Sequence, residues 1–184
     1  MSKNNSITLL NALEKEVEEQ MKFVLLNFQN MSEQQLLYVP NKDSWSISQC
    51  LQHLNSYGEY YLPLLEQEKN RSSKSLPNTI YKSSWIGNYF VNKMDPKRSP
   101  KKLKSMQKHI PSQGITAPQI ISNHLSQQEA LLLYIRIFQT LNLSKRSIPT
   151  SLTPLIKLTS MDTLRFLVAH TSRHILQASR VYGS

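Results

Sequence analysis

Apolar residues recur along the chain every three or four positions over long stretches, which is the period of a helix face rather than the alternation of a strand. From Thr8 to Gln29, positions Leu10, Leu13, Val17, Met21, Val24 and Phe28 form one stripe, while Glu14, Lys15, Glu18, Glu19 and Lys22 lie on other faces. This pattern predicts a first helix. A second runs from a cap at Ser44 or Ser46 through Ile47, Leu51, Leu54, Tyr61 and Leu65 to near Lys69, with a bend expected at Pro63, which lacks an N–H. A third opens on Pro118, a good first-turn residue, and continues through Ile121, Leu125, Leu132, Ile135 and Phe138 to near Leu141. The fourth starts from a Ser160 cap with Asp162 near its positive end, and turns Leu164, Leu167, Thr171, His174, Ala178 and Val181 inward.

Between Arg71 and Ala117 the periodicity fades, and five of the nine prolines fall from Pro77 to Pro118. We read residues 71–117 as a long connector inside a single domain spanning 1–184, with a short helix over Ser84 to Met94. A connection of this length is either a lid or binding loop, or a plain surface crossover. Asn142 to Leu158, with Pro149 and Pro154, forms a second connector. The fold class that follows is all-α: a four-helix bundle with a long crossover between helices two and three.

A chain of 184 residues, 39% of them hydrophobic, suits one domain with a sizeable core. No apolar run approaches the ~20 residues that cross a bilayer, and Met1 to Asn5 is too polar for a signal peptide. The expectation is a cytoplasmic protein with no membrane partner. Cys50 is the single cysteine, so an internal disulfide and a Cys-only metal cage are both excluded, and any metal must be held by His or carboxylate. The net charge of +10 conceals an asymmetry: residues 1–69 carry five bases and nine acids, whereas residues 70–184 carry 17 bases and three acids. The densest basic tract, Lys93 to Lys108, faces only Asp95. Such a tract is a surface for phosphates or acidic ligands, or merely a solvated face. Nucleic-acid binding through it is disfavoured, because it holds no aromatic side chains for stacking and no recognised reading helix.

Candidate chemistry rests on the five histidines, His53, His109, His124, His170 and His174. His170 and His174 are an i, i+4 pair, so their rings stand about 6 Å apart on one inward helix face and can reach a single cation. His53 lies beside the apolar stripe of helix two and can supply a third nitrogen. Three imidazoles suit Zn, Ni, Cu or Fe(II) and leave a coordination position for water or substrate, as catalytic sites do. The alternative is three separate histidines, each satisfied by hydrogen bonds in or near the core. His109 and His124 have no partner at ligand spacing and read as surface residues. Cys50 reads as a small buried hydrophobe. Trp45 is expected to pack over the start of helix two and close one end of the bundle rather than touch substrate, and Tyr57, Tyr60 and Tyr61 either line a pocket or belong to the core. Gln177 either donates a hydrogen bond behind His174 or simply packs. Arg165, Arg173 and Arg180 either border the cavity and attract an anionic thiol or cap the surface.

The string Trp45-Ser-Ile-Ser-Gln-Cys-Leu-Gln-His53-Leu, followed by Arg165-Phe-Leu-Val-Ala-His170-Thr-Ser-Arg-His174-Ile-Leu-Gln177, resembles the DinB/YfiT-like family of metal-dependent proteins. The basic segment Trp85 to Lys104 resembles a branch of that family found in Bacteroidetes-type bacteria. The resemblance implies an up-down-down-up bundle with a divalent metal, Ni or Zn, bound by His53, His170 and His174. It also implies reactions of the thiol S-transferase kind, which use bacillithiol, mycothiol or glutathione, and mycothiol-dependent maleylpyruvate isomerisation. A cation with an open position stabilises a thiolate, so a low-molecular-weight thiol is the expected co-substrate, alongside a small electrophile. Where an HExxH metalloprotease carries its Glu, this chain has Thr171, so peptide hydrolysis is disfavoured. Glu59 is assigned no role. A non-catalytic ligand- or metal-binding bundle is the other reading, and an apolar strip on helix one or four offers a homodimer face.

Overall fold

In the computed structural model, residues 4–74, 80–101, 103–111, 116–141 and 147–182 are described. Met1 to Lys3, Pro77, Lys102 and the start of the second connector, positions 142–146, lie outside them. Four long helices dominate: α1 (Ser6–Asn27), α3 (Ile47–Arg71), α5 (Ala117–Phe138) and α6 (Ser160–Tyr182). Helix α3 packs against both α5 and α6, and α1 closes the other side against the same two helices. The all-α expectation holds.

The expected stripes of α1, α3 and α6 face inward with few exceptions. Helix α3 begins where Ser46 and Gln49 cap each other reciprocally, Gln49 N–H donating to Ser46 Oγ at 3.1 Å and Ser46 N–H to Gln49 Oε1 at 2.9 Å. The same helix runs through Pro63 to Arg71, with the proline on the exposed face. At α6 the cap is Thr159 rather than Ser160: its hydroxyl accepts from Asp162 N–H at 3.0 Å and donates to the Asp162 carboxylate at 2.9 Å. Ser160 itself is fully buried.

The 71–117 connector is more structured than its composition suggests. It contributes β2 (Ile80–Tyr81), which pairs antiparallel with β1 (Asn4–Asn5), then α4 (Trp85–Met94), and a single 3-10 turn at Gln107–His109. Helix α4 lies against α6, and a buried carboxylate locks the two together. Asp162 accepts hydrogen bonds from Tyr81, from Ser83, from the backbone and hydroxyl of Ser84, and from Arg165 Nη1 at 3.1 Å. Gly87 follows from that approach, since a Cβ there would sit 2.1 to 2.5 Å from the carboxylate atoms. Two further elements were not expected: α2 (Glu33–Leu37), capped by Ser32, and a hairpin of β3 (Ser147–Pro149) and β4 (Lys157–Thr159) inside the second connector.

The apolar interior falls into two clusters. One centres on Leu13, Tyr61, Leu65, Ile135, Phe138 and Leu164, the other on Val24, Phe28, Ile47, Leu51, Ile121 and Ala178. Along each long helix the break between clusters is occupied by buried polar side chains: Gln20 on α1, His53 and Asn55 on α3, His124 and Gln128 on α5, and His170, Thr171 and His174 on α6. His124, expected on the surface, is 1% exposed. Its spacing from Ile121 and Gln128 continues the inward stripe of α5, where Leu132 is only half-buried.

Candidate metal centre

The caps of α3 and α6 set the phase of both helices, so that His53 on one meets His170 and His174 on the other. His53 Nε2 lies 3.3 Å from His170 Nε2, and His174 Nε2 lies 3.1 Å from the same atom. All three ligand atoms fall within 4.8 Å of one another, and the three side chains are buried. No other group of three or more His, Cys, Asp or Glu side chains among the described residues converges in this way.

The tautomer of His53 is fixed from behind, whereas His170 Nδ1 and His174 Nδ1 are buried without a hydrogen-bond partner. His53 Nδ1 donates to the His109 carbonyl at 2.6 Å, which leaves the His53 Nε2 lone pair facing the other two rings. Ser56 holds the segment that supplies this carbonyl: its hydroxyl donates to the His53 carbonyl at 2.7 Å and accepts from His109 Nδ1–H at 2.9 Å. The His109 ring stacks on Tyr57 with centroids 3.9 Å apart. His109, expected on the surface, is therefore buried against the site and acts on it through its main chain. Trp45 stacks on the His174 ring at 5.8 Å and tilts against His53 at 4.9 Å, so it belongs to the wall of the site.

Burial keeps these imidazoles uncharged. It lowers His53, a shift the His109 carbonyl opposes, and together with His174 and His53 it holds His170 well below the ordinary range. His174 is pushed down to about 3 by burial and then by His53 and Arg173, with the Gln177 amide acting in the other direction. Three neutral nitrogens that meet out of water are a donor set for a divalent cation. Tetrahedral ligands about 2.1 Å from one ion stand about 3.4 Å apart, close to the two nitrogen separations given above. The residues fit the group.

The cluster forms the inner end of a cavity of about 970 Å³. Its walls are largely aromatic and aliphatic, with Tyr89, Phe90 and Met94 from α4, Phe166 from α6, and Leu103 and Met106 from the connector. Beside the rings lies a small set of hydroxyls: Tyr57, Tyr61 and Ser151 line the cavity, and Tyr61 Oη accepts from Ser151 N–H at 2.9 Å. Burial pushes the Tyr57 phenol up to about 12, so it is a proton-bearing group at neutral pH.

A profile of the DinB superfamily matches residues 17–178. The chain belongs to the DinB superfamily. No curated protein and no solved structure matches it.

Within this DinB-superfamily bundle, the residues singled out from the sequence part company. Arg173 and Arg180 line the cavity, but Arg165 does not; it pairs with Asp162 and donates to Ser83 and Asn88. Tyr57 and Tyr61 are both core residues and cavity wall, so the two roles set against each other coincide. Cys50 is fully buried, and burial pushes its thiol up to about 12, which suits a packing role. Glu59 is exposed. Gln177 is half-buried in the cavity wall beside His174. No described helix is long and apolar enough to cross a membrane.

Proposed function

We propose that this DinB-superfamily protein is a metal-dependent enzyme of the thiol S-transferase type. His53, His170 and His174 hold one divalent cation, Zn, Ni or Fe, at the inner end of the cavity, where a low-molecular-weight thiol meets a small electrophile. The observation that carries the reading is the convergence of three neutral, buried imidazoles on a cavity large enough for a drug-sized ligand. Bound there, such a cation supplies Lewis acidity that lowers the pKa of a thiol.

The chain's own groups do the rest. The aromatic wall of Trp45, Phe90 and Phe166 excludes water from the reacting end, and the Tyr57 phenol is placed to donate a hydrogen bond to a developing anion. In the reaction the sulfur forms a C–S bond, the electron pair passes to the leaving group of the electrophile, and the thiol proton leaves to solvent through the open mouth. Among the described residues Asp43 is the only carboxylate on the cavity wall, and Thr171 stands where a hydrolytic Glu would follow the first helix histidine. That composition favours activation of a nucleophile over base-assisted hydrolysis.

Elemental analysis of the purified protein is the first test, with about one equivalent of metal expected. His174→Ala should lose that metal while keeping the helical circular dichroism of the parent, and unchanged metal content in the variant rejects the site. The metal-loaded parent should conjugate bacillithiol, mycothiol or glutathione to at least one electrophile of a panel. Full metal content with no conjugation across the panel leaves a metal-binding bundle and removes the enzymatic reading.

A further inference from the structure

The cavity wall carries charge of one sign. Among the described residues that line it are five cations, Lys93, Lys101, Lys104, Arg173 and Arg180, against the single carboxylate of Asp43. Lys93, Lys101, Lys104 and Arg180 are exposed and Arg173 is half-buried, whereas the three histidines are buried, so the charge gathers at the mouth and the imidazoles at the inner end. Between the two ends the wall is apolar. Arg173 is held in place by backbone acceptors, donating twice to the Ser99 carbonyl at 2.7 Å and once to the Lys101 carbonyl at 2.9 Å. Those bonds fix the basic connector to α6 and keep Lys101 and Lys104 at the rim. Asp95, the carboxylate that acts on Arg173, is paired with Arg98 at 3.3 Å and does not line the cavity.

We propose that the cavity takes an amphipathic anion: an apolar body along the aromatic wall, a carboxylate at the cationic mouth, and the reacting group at the far end, beside the histidines. The proposal rests on the reading above for what lies at that inner end. Its charge and shape argument does not need the metal. A low-dielectric cleft lined by cations concentrates anions and favours them over neutral isosteres, while the apolar wall makes affinity grow with chain length. The charge asymmetry of the sequence has the same origin, because every cation at the mouth comes from residues 93–180.

Isothermal titration with octanoate, decanoate and dodecanoate, each set against the alcohol of equal chain length, tests the inference on the full chain. Affinity should rise about tenfold for each two methylenes added. Each carboxylate should bind at least tenfold more tightly than its alcohol. Lys93→Gln with Arg180→Gln, two exposed positions that hold no structural hydrogen bond, should abolish most of that preference and leave alcohol binding unchanged. Arg173→Gln should also weaken that preference and raise proteolytic cleavage near Lys101. Equal binding of acid and alcohol, or no binding of either, overturns the inference. So does sedimentation with phosphatidylglycerol vesicles combined with no response to dodecanoate, which would assign the basic rim to a membrane surface. His174→Ala keeps the two proposals apart: loss of metal with retained carboxylate preference is the expected result. A metal-binding parent that shows no such preference sinks this inference alone.

Discussion

Gly87 shows how one missing side chain organises its surroundings. In an open helix, alanine in place of glycine stabilises by about 1 kcal/mol. At Gly87 the added methyl meets the Asp162 carboxylate, and that group cannot withdraw because Tyr81, Ser83, Ser84, Thr159 and Arg165 all hold it. Gly87→Ala is therefore expected to destabilise, by about 1 to 3 kcal/mol, as measured by urea unfolding. A neutral or stabilising result would mean that the carboxylate moves freely. The sequence could not show this need for glycine, because its cause lies 75 residues away at Asp162. His109 was unreadable for a similar reason. It acts through a carbonyl, which every residue has, and its position in a connector gave no period against which to judge burial. The convergence of His53, His170 and His174 was legible because two of them share a helix face and the third follows a recognisable cap.

At the level of elements, the four long helices were legible from their stripes, and their ends shifted by only a few residues. Helix α4 was legible too, but its anchorage was not. Asp162, noted in the sequence only for its place near a helix terminus, is the pin that fastens β2 and α4 to α6. Burial raises its pKa, but the hydrogen bonds from Ser83, Tyr81, Ser84 and Thr159 outweigh that and hold it below the usual 3.8. A carboxyl depressed in the folded state contributes fully at neutral pH, and the contribution is lost only as the pH falls below about 3.8 and through the folded value. Asp162→Asn turns an amide N–H₂ toward groups that donate. It should destabilise by about 3 kcal/mol and accelerate amide hydrogen exchange over residues 80–94 well before the rest of the bundle opens. Uniform exchange in the variant would show that α4 unfolds only with the whole molecule.

Across the whole molecule, a polar layer separates two apolar clusters, and it contains groups that do not belong to the three-histidine cluster. His124 is fully buried, and neither ring nitrogen has a hydrogen-bond partner. Burial pushes it down to about 4 from an ordinary 6.5. Above pH 6.5 both folded and unfolded chains carry it neutral; between 6.5 and 4 only the unfolded chain gains the proton, so stability falls with pH and then levels off. The loss is on the order of 3 kcal/mol. His124→Leu should therefore raise stability by about 1 to 3 kcal/mol at pH 7.5, and the difference from the parent should widen on going to pH 4.5. A constant difference across that range would show that the ring is already protonated or hydrated in the fold. Following apolar residues alone along α5 led the eye to Leu132 and past His124, although the heptad spacing of Ile121, His124, Gln128, Leu131 and Ile135 marks the true inward stripe.

The hydrogen bond from His53 to the His109 carbonyl ties the histidine cluster to a strap that arrives from outside the bundle. If residues 103–111 lift away, the His53 ring is free to rotate and its other nitrogen can take the proton. While the strap is seated, the Nε2 lone pair of His53 is held toward the other two rings, and by linkage an occupant that binds all three rings is expected to clamp the strap in turn. Protease digestion of that segment then becomes a gauge of occupancy, readable without any knowledge of the substrate.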